Sequence, residues 1–346
     1  MNAASVNRPL SLAMVGLSFG KHVLGCLQSS STSNLFKLIA VSDLRKKLAE
    51  ETAAEYGVKD YSSIQQVLED DSIEVVGLYT QPYGRAKLLR EIIRAGKDVM
   101  TTKPFELDAE EAEDVLREAQ SLGRTVHLNS PSPDLTMDLL QIQTWVDEFE
   151  LGRLASARGE VWAPYREKAD GGWMDDPMLC PGGAMMRLGI YLINDIIQMA
   201  GPVDQVNLIS SRIRTGRPTP DNALLTMSCA SGCVASVYAS FCVDDGDRYS
   251  NGLTLNYERG TIYRNIGPTA GTLPKSDHSN LSLVLRDGET RRIRAGNTFN
   301  EYSGIYQWEK FHRTIVKKET ISDSYIQKIV EGVKVLEAMR GLAVSA

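Results

Sequence analysis

The chain is poor in histidine, carries an odd handful of cysteines and has no long apolar run, and each shortage removes a class of function. There are four histidines in 346 residues. His22, His278 and His312 show no HxH or HxxxH spacing, so no metal site is expected. The five cysteines, Cys26, Cys180, Cys229, Cys233 and Cys242, form no CxxC. Three of them lie in strand-like apolar text, where reduced buried thiols are the ordinary state, and a cytoplasmic, reducing compartment is expected. No segment approaches the ~18 apolar residues that a membrane span needs. The opening MNAASVNRPLSLAMVGL has no charged region ahead of a long apolar core and reads as a short tail entering a strand rather than a signal peptide. Basic clusters with interleaved aromatics are missing and the formal net charge is −6, so neither nucleic acid nor a membrane is an expected partner. Repeats and low-complexity tracts are also missing; SSSTSN (29–34) is only a polar loop.

What is present is ordinary globular text, 42% hydrophobic and 24% charged. A chain this long is large for a single core, so two domains are expected, over 1–130 and 131–346. In the first, short runs rich in Val, Ile and Leu alternate with helical text. Strands are expected at 10–17, 37–43, 73–80, 98–102 and 125–129, and helices at 44–57, 62–71, 84–97 and 108–123, with Asp108 as the cap of the last. Strict β-α alternation implies a doubly wound parallel sheet. Beyond residue 150, strand candidates follow one another across Gly, Asp, Asn and Pro turns, which implies a second domain of α/β type with a large, mostly antiparallel open sheet. Helices remain at 134–150, 183–200, 301–317 and 322–342.

The first chemical signal is VGLSFGKH between a strand and a helix. Gly16 and Gly20 allow close approach of a pyrophosphate to a helix N-terminus, with Ser18 and Phe19 between them. Ser18 stands where the dinucleotide fingerprint G-x-G-x-x-G has its middle glycine, and the last glycine comes one residue early. Asp43 closes the second strand, in AVSD, about 20–25 residues on, where a carboxylate accepts ribose hydroxyls. Asp43 leans toward NAD; Arg45 and Lys46 beside it keep NADP open.

Together with LYTQP, AGKDVMTTKPF and GGAMMRLGIYLIN, these segments resemble the glucose-fructose oxidoreductase, inositol dehydrogenase and MocA (Gfo/Idh/MocA) family, from about residue 10 to the C-terminal helix. The resemblance implies a Rossmann domain followed by a substrate-binding and oligomerisation domain. It also implies cofactor contacts from Gly16, Ser18, Phe19, Gly20, Asp43, Arg45, Thr80, Pro82 and Lys103. The family writes E-K-P where this chain has Thr102, Lys103 and Pro104, and its lysine sits near nicotinamide and substrate. A lysine there orients and polarises the reacting oxygen.

In CPGGAMMRLGIYLINDIIQMAGP the family pattern puts Arg187 at an aspartate, Tyr191 at a histidine and Asn194 at a second aspartate. The Tyr-Asn pair is similar to the glucose-fructose oxidoreductase and dihydrodiol dehydrogenase branch, which implies Lys103 and Tyr191 as catalytic residues. Arg187 fits neither branch. It suits a carboxylate or phosphate on the substrate, or else pairs with Asp175, Asp176 or Asp195. Asn129 and Trp173 complete the implied substrate contacts, and Arg85 stands near the place of a histidine the family has and this chain lacks.

Two functions follow from these readings. One is NAD(P)-dependent hydride transfer to or from a sugar, polyol or sugar acid. The other is a family member that binds nucleotide or sugar without redox turnover. The family's habit of pairing open sheets implies a homodimer or homotetramer through the C-terminal sheet, with CVASVYASFCV and ALLTMSCA as the expected apolar face.

Overall fold

The computed structural model describes residues 8–28, 31–131, 133–246, 249–266, 278–287, 290–299 and 305–344. The chain divides into two compact units, one of residues 1–132 with 303–330, the other of residues 133–302 with 331–346.

The first unit is built on a six-stranded sheet of order β3-β2-β1-β4-β5-β6. Its strands are β1 (Leu10–Val15), β2 (Phe36–Ser42), β3 (Lys59–Tyr61), β4 (Val75–Leu78), β5 (Asp98–Thr101) and β6 (Val126–Leu128), and every pairing is parallel. The helices between them are α1 (Leu17–Gln28), α2 (Lys46–Tyr56), α3 (Ile64–Glu69), α4 (Arg85–Arg94) and α5 (Ala109–Ser121). β4 and β5 are buried throughout, which is why they read as unbroken apolar runs. Asp108 caps α5, its Oδ1 accepting from the Glu111 N–H at 3.0 Å. β3 escaped the sequence reading because Lys-Asp-Tyr has no apolar run; it pairs only β2, at the edge of the sheet.

Residues 303–330, which the sequence reading placed with the second domain, join this first unit. They include α8 (Ile305–Lys317), while 301–304, the expected start of that helix, lie outside the described residues. Trp308 and Phe311 of α8 are fully buried and meet Phe36 at ring separations of 5.0 and 6.1 Å. His127 of β6 shares a hydrogen bond with Gln307 at 2.8 Å. Burying each such aromatic removes 150–250 Å² from water, worth about 2–3 kcal/mol, which holds the returning segment on the sheet.

The second unit carries an eight-stranded sheet of order β14-β13-β12-β11-β7-β10-β9-β8. Its strands are β7 (Leu154–Trp162), β8 (Val203–Ser211), β9 (Asn222–Cys229), β10 (Val234–Ser240), β11 (Ser250–Tyr257), β12 (Gly260–Arg264), β13 (His278–Asp287) and β14 (Thr290–Phe299). All its pairings are antiparallel except that of β7 with β10. The helices are α6 (Met137–Glu148), α7 (Ile190–Ala200) and the end of α9 (Asp323–Val344). The expected helix over 183–200 opens differently: Gly182 and Gly183 have positive φ, and Met185–Gly189 form a wide π-helical turn before α7 begins.

Alternation along the strands sends Ala223, Leu225 and Met227 of β9, and Ala235, Val237 and Ala239 of β10, to the buried side. The π-turn packs against both strands and α7 against β10. The apolar text that the sequence reading reserved for a partner is therefore covered largely within the chain. The opposite face is a shallow groove of about 790 Å³ lined mainly by polar side chains, among them Ser156, Arg158, Thr226, Ser228, Ser236 and Asn256.

Candidate functional site

The turn after β1 can be nothing but glycine at Gly16. Its φ is +85°, and a Cβ there would stand 2.6 Å from the Tyr79 carbonyl oxygen. Gly20, one turn into α1, lies over Met14, whose Cγ would be 3.1 Å from an added Cβ. The Asp43 Oδ2 accepts from the Leu17 N–H at 2.7 Å, satisfying one of the donors that the helix start leaves open. Arg45 then folds back on the same carboxylate, its Nε 2.9 Å from Oδ1 and its Nη2 3.0 Å from Oδ2. The same Nη2 donates to the Ser18 hydroxyl at 2.8 Å. Burial pushes the Asp43 carboxyl up, but Arg45 and the two backbone N–H groups outweigh it and hold the group below the usual carboxylate range. Ser18, Asp43 and Arg45 thus form one cluster, while Phe19 is exposed with its ring 5.8 Å from that of Tyr79.

Thr80, Pro82 and Lys103 lie just beyond the carboxyl ends of β4 and β5, and Asn129 beyond β6, the edge at which open parallel sheets bind ligands. Lys103 is half-buried. The Asn129 N–H donates to the Thr101 carbonyl at 2.7 Å. Two buried oxygens on this edge, Thr80 Oγ1 and Asn129 Oδ1, have no hydrogen-bonding partner among the described residues. Buried polar atoms are normally paired, so a ligand with hydroxyl or amide groups fits here.

Arg85 is at this edge as well, but fully buried as the first residue of α4. Its guanidinium donates to the carbonyls of Thr80, Thr102, Pro104 and Phe105. It is held away from solvent rather than offered to a ligand.

In the second unit Arg187 sits on the π-turn and Tyr191 and Asn194 on α7, Tyr191 and Asn194 half-buried. Arg187 forms a two-pronged pair with Glu167, with Nη2 2.7 Å from Oε1, and its guanidinium lies 4.8 Å from the Phe241 ring centre and 5.7 Å from that of Tyr165. Glu167 was not among the acids named from the sequence as its partner. Asp175 goes to Arg217 at 2.7 Å, and Asp195 to Arg264 at 2.7 Å. Arg217 also reaches Glu167 at 2.9 Å and Asp170 at 3.1 Å, which ties the segment carrying Trp173 to the loop between β8 and β9. Tyr165 lies within electrostatic range of Tyr191. Burial pushes its phenol up, Arg187 pulls it down, and Glu167 and Tyr191 push it up again.

A buried cluster backs α7. Arg264, 1% exposed, bonds Asp138 at 3.1 Å and Asn251 at 3.0 Å besides Asp195. Sequence reasoning missed Tyr165, Glu167, Arg217, Arg264 and Asp138. The one local hint was the spacing of Tyr165 and Glu167, which puts them on one side of an extended segment. Among the described residues no three His, Cys, Asp or Glu side chains gather as a metal requires, and no helix is long and apolar enough to cross a membrane.

Comparison with known proteins agrees with this two-domain fold. Residues 10–130 match the model of an oxidoreductase family with an NAD-binding Rossmann fold, and residues 139–263 match the GFO/IDH/MocA C-terminal domain. Trans-1,2-dihydrobenzene-1,2-diol dehydrogenase of Oryctolagus cuniculus is 27% identical over 234 residues, 64% of this chain and 64% of that protein. An uncharacterised oxidoreductase of Schizosaccharomyces pombe is 23% identical over 56% of this chain. The matched parts span 52% to 64% of the length of these curated relatives. Among solved structures, levoglucosan dehydrogenase in complex with NADH and L-sorbose superposes with a TM-score of 0.76 at 17% identity, covering 98% of this chain and 97% of that one. A 3-ketoreductase from Actinomadura kijaniata in complex with NADP gives 0.72 at 16% identity, covering 96% and 97%.

Proposed function

Because the chain belongs to the GFO/IDH/MocA family of oxidoreductases, we propose that it is an NAD(P)-dependent dehydrogenase or reductase acting on a hydroxyl or carbonyl of a sugar or polyol. The observation that carries this reading is the edge formed by Thr80, Lys103 and Asn129, where two buried oxygens have no hydrogen-bonding partner among the described residues. The nicotinamide, when bound, supplies the acceptor or donor of hydride. Lys103 orients the reacting oxygen by an ammonium hydrogen bond, and Tyr191 holds at its Oη the proton that leaves or joins that oxygen. Trp173 and Asn194 contact the sugar.

Asp43 is the expected partner of the ribose hydroxyls and favours NAD, since its charge opposes a 2′-phosphate. Arg187 is already engaged by Glu167, so a sugar acid must displace that carboxylate, and a neutral substrate is preferred. Self-association through the open sheet, as a dimer or tetramer, and residence in the cytoplasm complete the proposal; five cysteines that form no disulfide suit a reducing compartment.

A second reading is a member that binds nucleotide or sugar without turnover. Its support is Arg45, which closes over Asp43 and Ser18 where a ribose would sit. Fluorescence titration with NADH and NADPH, followed by turnover assays on sugars and polyols, separates the two. In the redox reading Lys103→Met and Tyr191→Phe each lower turnover by about 10²-fold or more with the fold intact. Unchanged turnover in both variants sinks it, and binding of either nucleotide without turnover on any substrate favours the second reading.

A further inference from the structure

The family reading leaves one buried charge without a task. Arg85 is 1% exposed, and among the described residues no carboxylate forms an ion pair with it, Glu106 acting on it only through space. Its Nη1 donates to Thr102 at 2.6 Å, to Pro104, and to Phe105 at 3.2 Å, while its Nη2 donates to Thr80. Burial drags its pKa down to about 10, only partly offset by Glu106. Glu106 is itself spent on the backbone, with Oε2 accepting from the Ala86 N–H and Oε1 from the Leu107 N–H, both at 2.8 Å.

A guanidinium without a carboxylate partner is costly to bury. It makes sense only for what it holds. The carbonyls before and after Lys103 converge on the same nitrogen, so the backbone on both sides of that lysine is pinned to one point. The other nitrogen pins Thr80, just beyond the end of the neighbouring strand β4. One rigid fork therefore fixes the loop after β5 against the loop after β4, a geometry that a flexible point donor such as lysine does not reproduce.

We propose that Arg85 is a positioning residue for Lys103, setting where the ammonium stands on the nucleotide-binding edge without touching cofactor or substrate. The inference rests on the reading of Lys103 as the residue beside nicotinamide, and its test is arranged so that either can fail alone.

The full-length protein, Arg85→Met and Arg85→Lys are labelled with 2,4,6-trinitrobenzenesulfonate, with and without NADH, and lysine modification is followed by peptide mass spectrometry. Lys97 is the internal control: it is buried and donates to the carbonyls of Asp70 at 2.8 Å and Ile73 at 2.9 Å, so it reports general loosening of the same unit. The expected result is a change of about tenfold in the Lys103 labelling rate in Arg85→Met and a smaller change in Arg85→Lys, with Lys97 still protected. NADH shields Lys103 in the natural protein and no longer does so in Arg85→Met.

An unchanged Lys103 rate in a folded Arg85→Met overturns the proposal. So does Lys97 becoming labelled in step with Lys103, which marks Arg85 as a general core residue. If Arg85→Met does not fold, Arg85→Lys decides on the same two lysines. Should NADH bind without shielding Lys103 in the natural protein, the cofactor role of Lys103 fails, while the rate change in the variants still decides the positioning.

Discussion

Arg187 and Glu167 face each other fork to fork, with the guanidinium laid over Phe241 and Tyr165. This pair turns a cation that looked available to an acidic substrate into a half-buried, paired one, one helical turn before Tyr191. Glu167→Gln removes the competing charge and releases the Arg187 fork from its carboxylate partner. Turnover of an aldonate relative to its matching alditol is expected to rise about tenfold, the value of a charge-assisted bond. Steady-state kinetics on the two compounds check it, and an unchanged ratio removes Arg187 from substrate selection.

The segment from Tyr165 to Asp175 has an acid limit set by Arg217. Its hydrogen bonds hold Asp170 at about 2. Asp175 is also depressed, burial being outweighed by Arg217 and backbone N–H groups, and so is Glu167, where Arg187 and Arg217 outweigh burial. Depressed carboxylates stabilise the fold fully above the unfolded pKa of about 4, and the contribution is lost as pH falls through the folded values. Trp173 fluorescence should therefore stay native through pH 4 and change toward pH 2. In Arg217→Met the change should move up into the ordinary carboxylate range; a transition that does not move refutes the assignment.

Asp43 and Arg45 set cofactor choice in opposite senses. Asp43→Ala removes the ribose acceptor and releases Arg45 toward a 2′-phosphate. NADH should bind about tenfold more weakly, and NADPH more tightly, in a fluorescence titration. Equal losses for both nucleotides contradict the assignment of Asp43 to the ribose.

Arg264 stands between two buried carboxylates, Asp138 and Asp195. Arg264→Met leaves both without their cation and should cost about 3–5 kcal/mol in urea unfolding at pH 7. Asp195→Asn should cost less. Burial is the main force raising the Asp195 carboxyl, with Asp138 adding to it and Arg264 opposing it. A raised carboxyl stabilises most at low pH and loses that contribution as pH rises through the folded value, so an uncharged amide is well tolerated there. A larger loss in Asp195→Asn than in Arg264→Met would falsify this ordering.

The sequence by itself determined whatever depends on neighbours along the chain. β-α alternation specified the parallel sheet, turn-separated strands the antiparallel one, and Gly16 and Asp108 their turn and cap, because each is a choice made over a few residues by backbone sterics and burial period. It marked Asp43, Lys103, Arg187 and Tyr191 as positions of interest, but it did not give their partners. Only the tertiary structure decided that Arg187 goes to Glu167, 20 residues away, and that Arg217 gathers three acids. The same holds for Arg85 closing on the carbonyls around Lys103, for β3 finding an edge to pair with, and for 303–330 returning to the first unit. The reason is physical: a charged side chain takes whichever opposite charge or carbonyl the packed backbone brings within about 3 Å, and that is fixed by topology rather than by spacing along the chain.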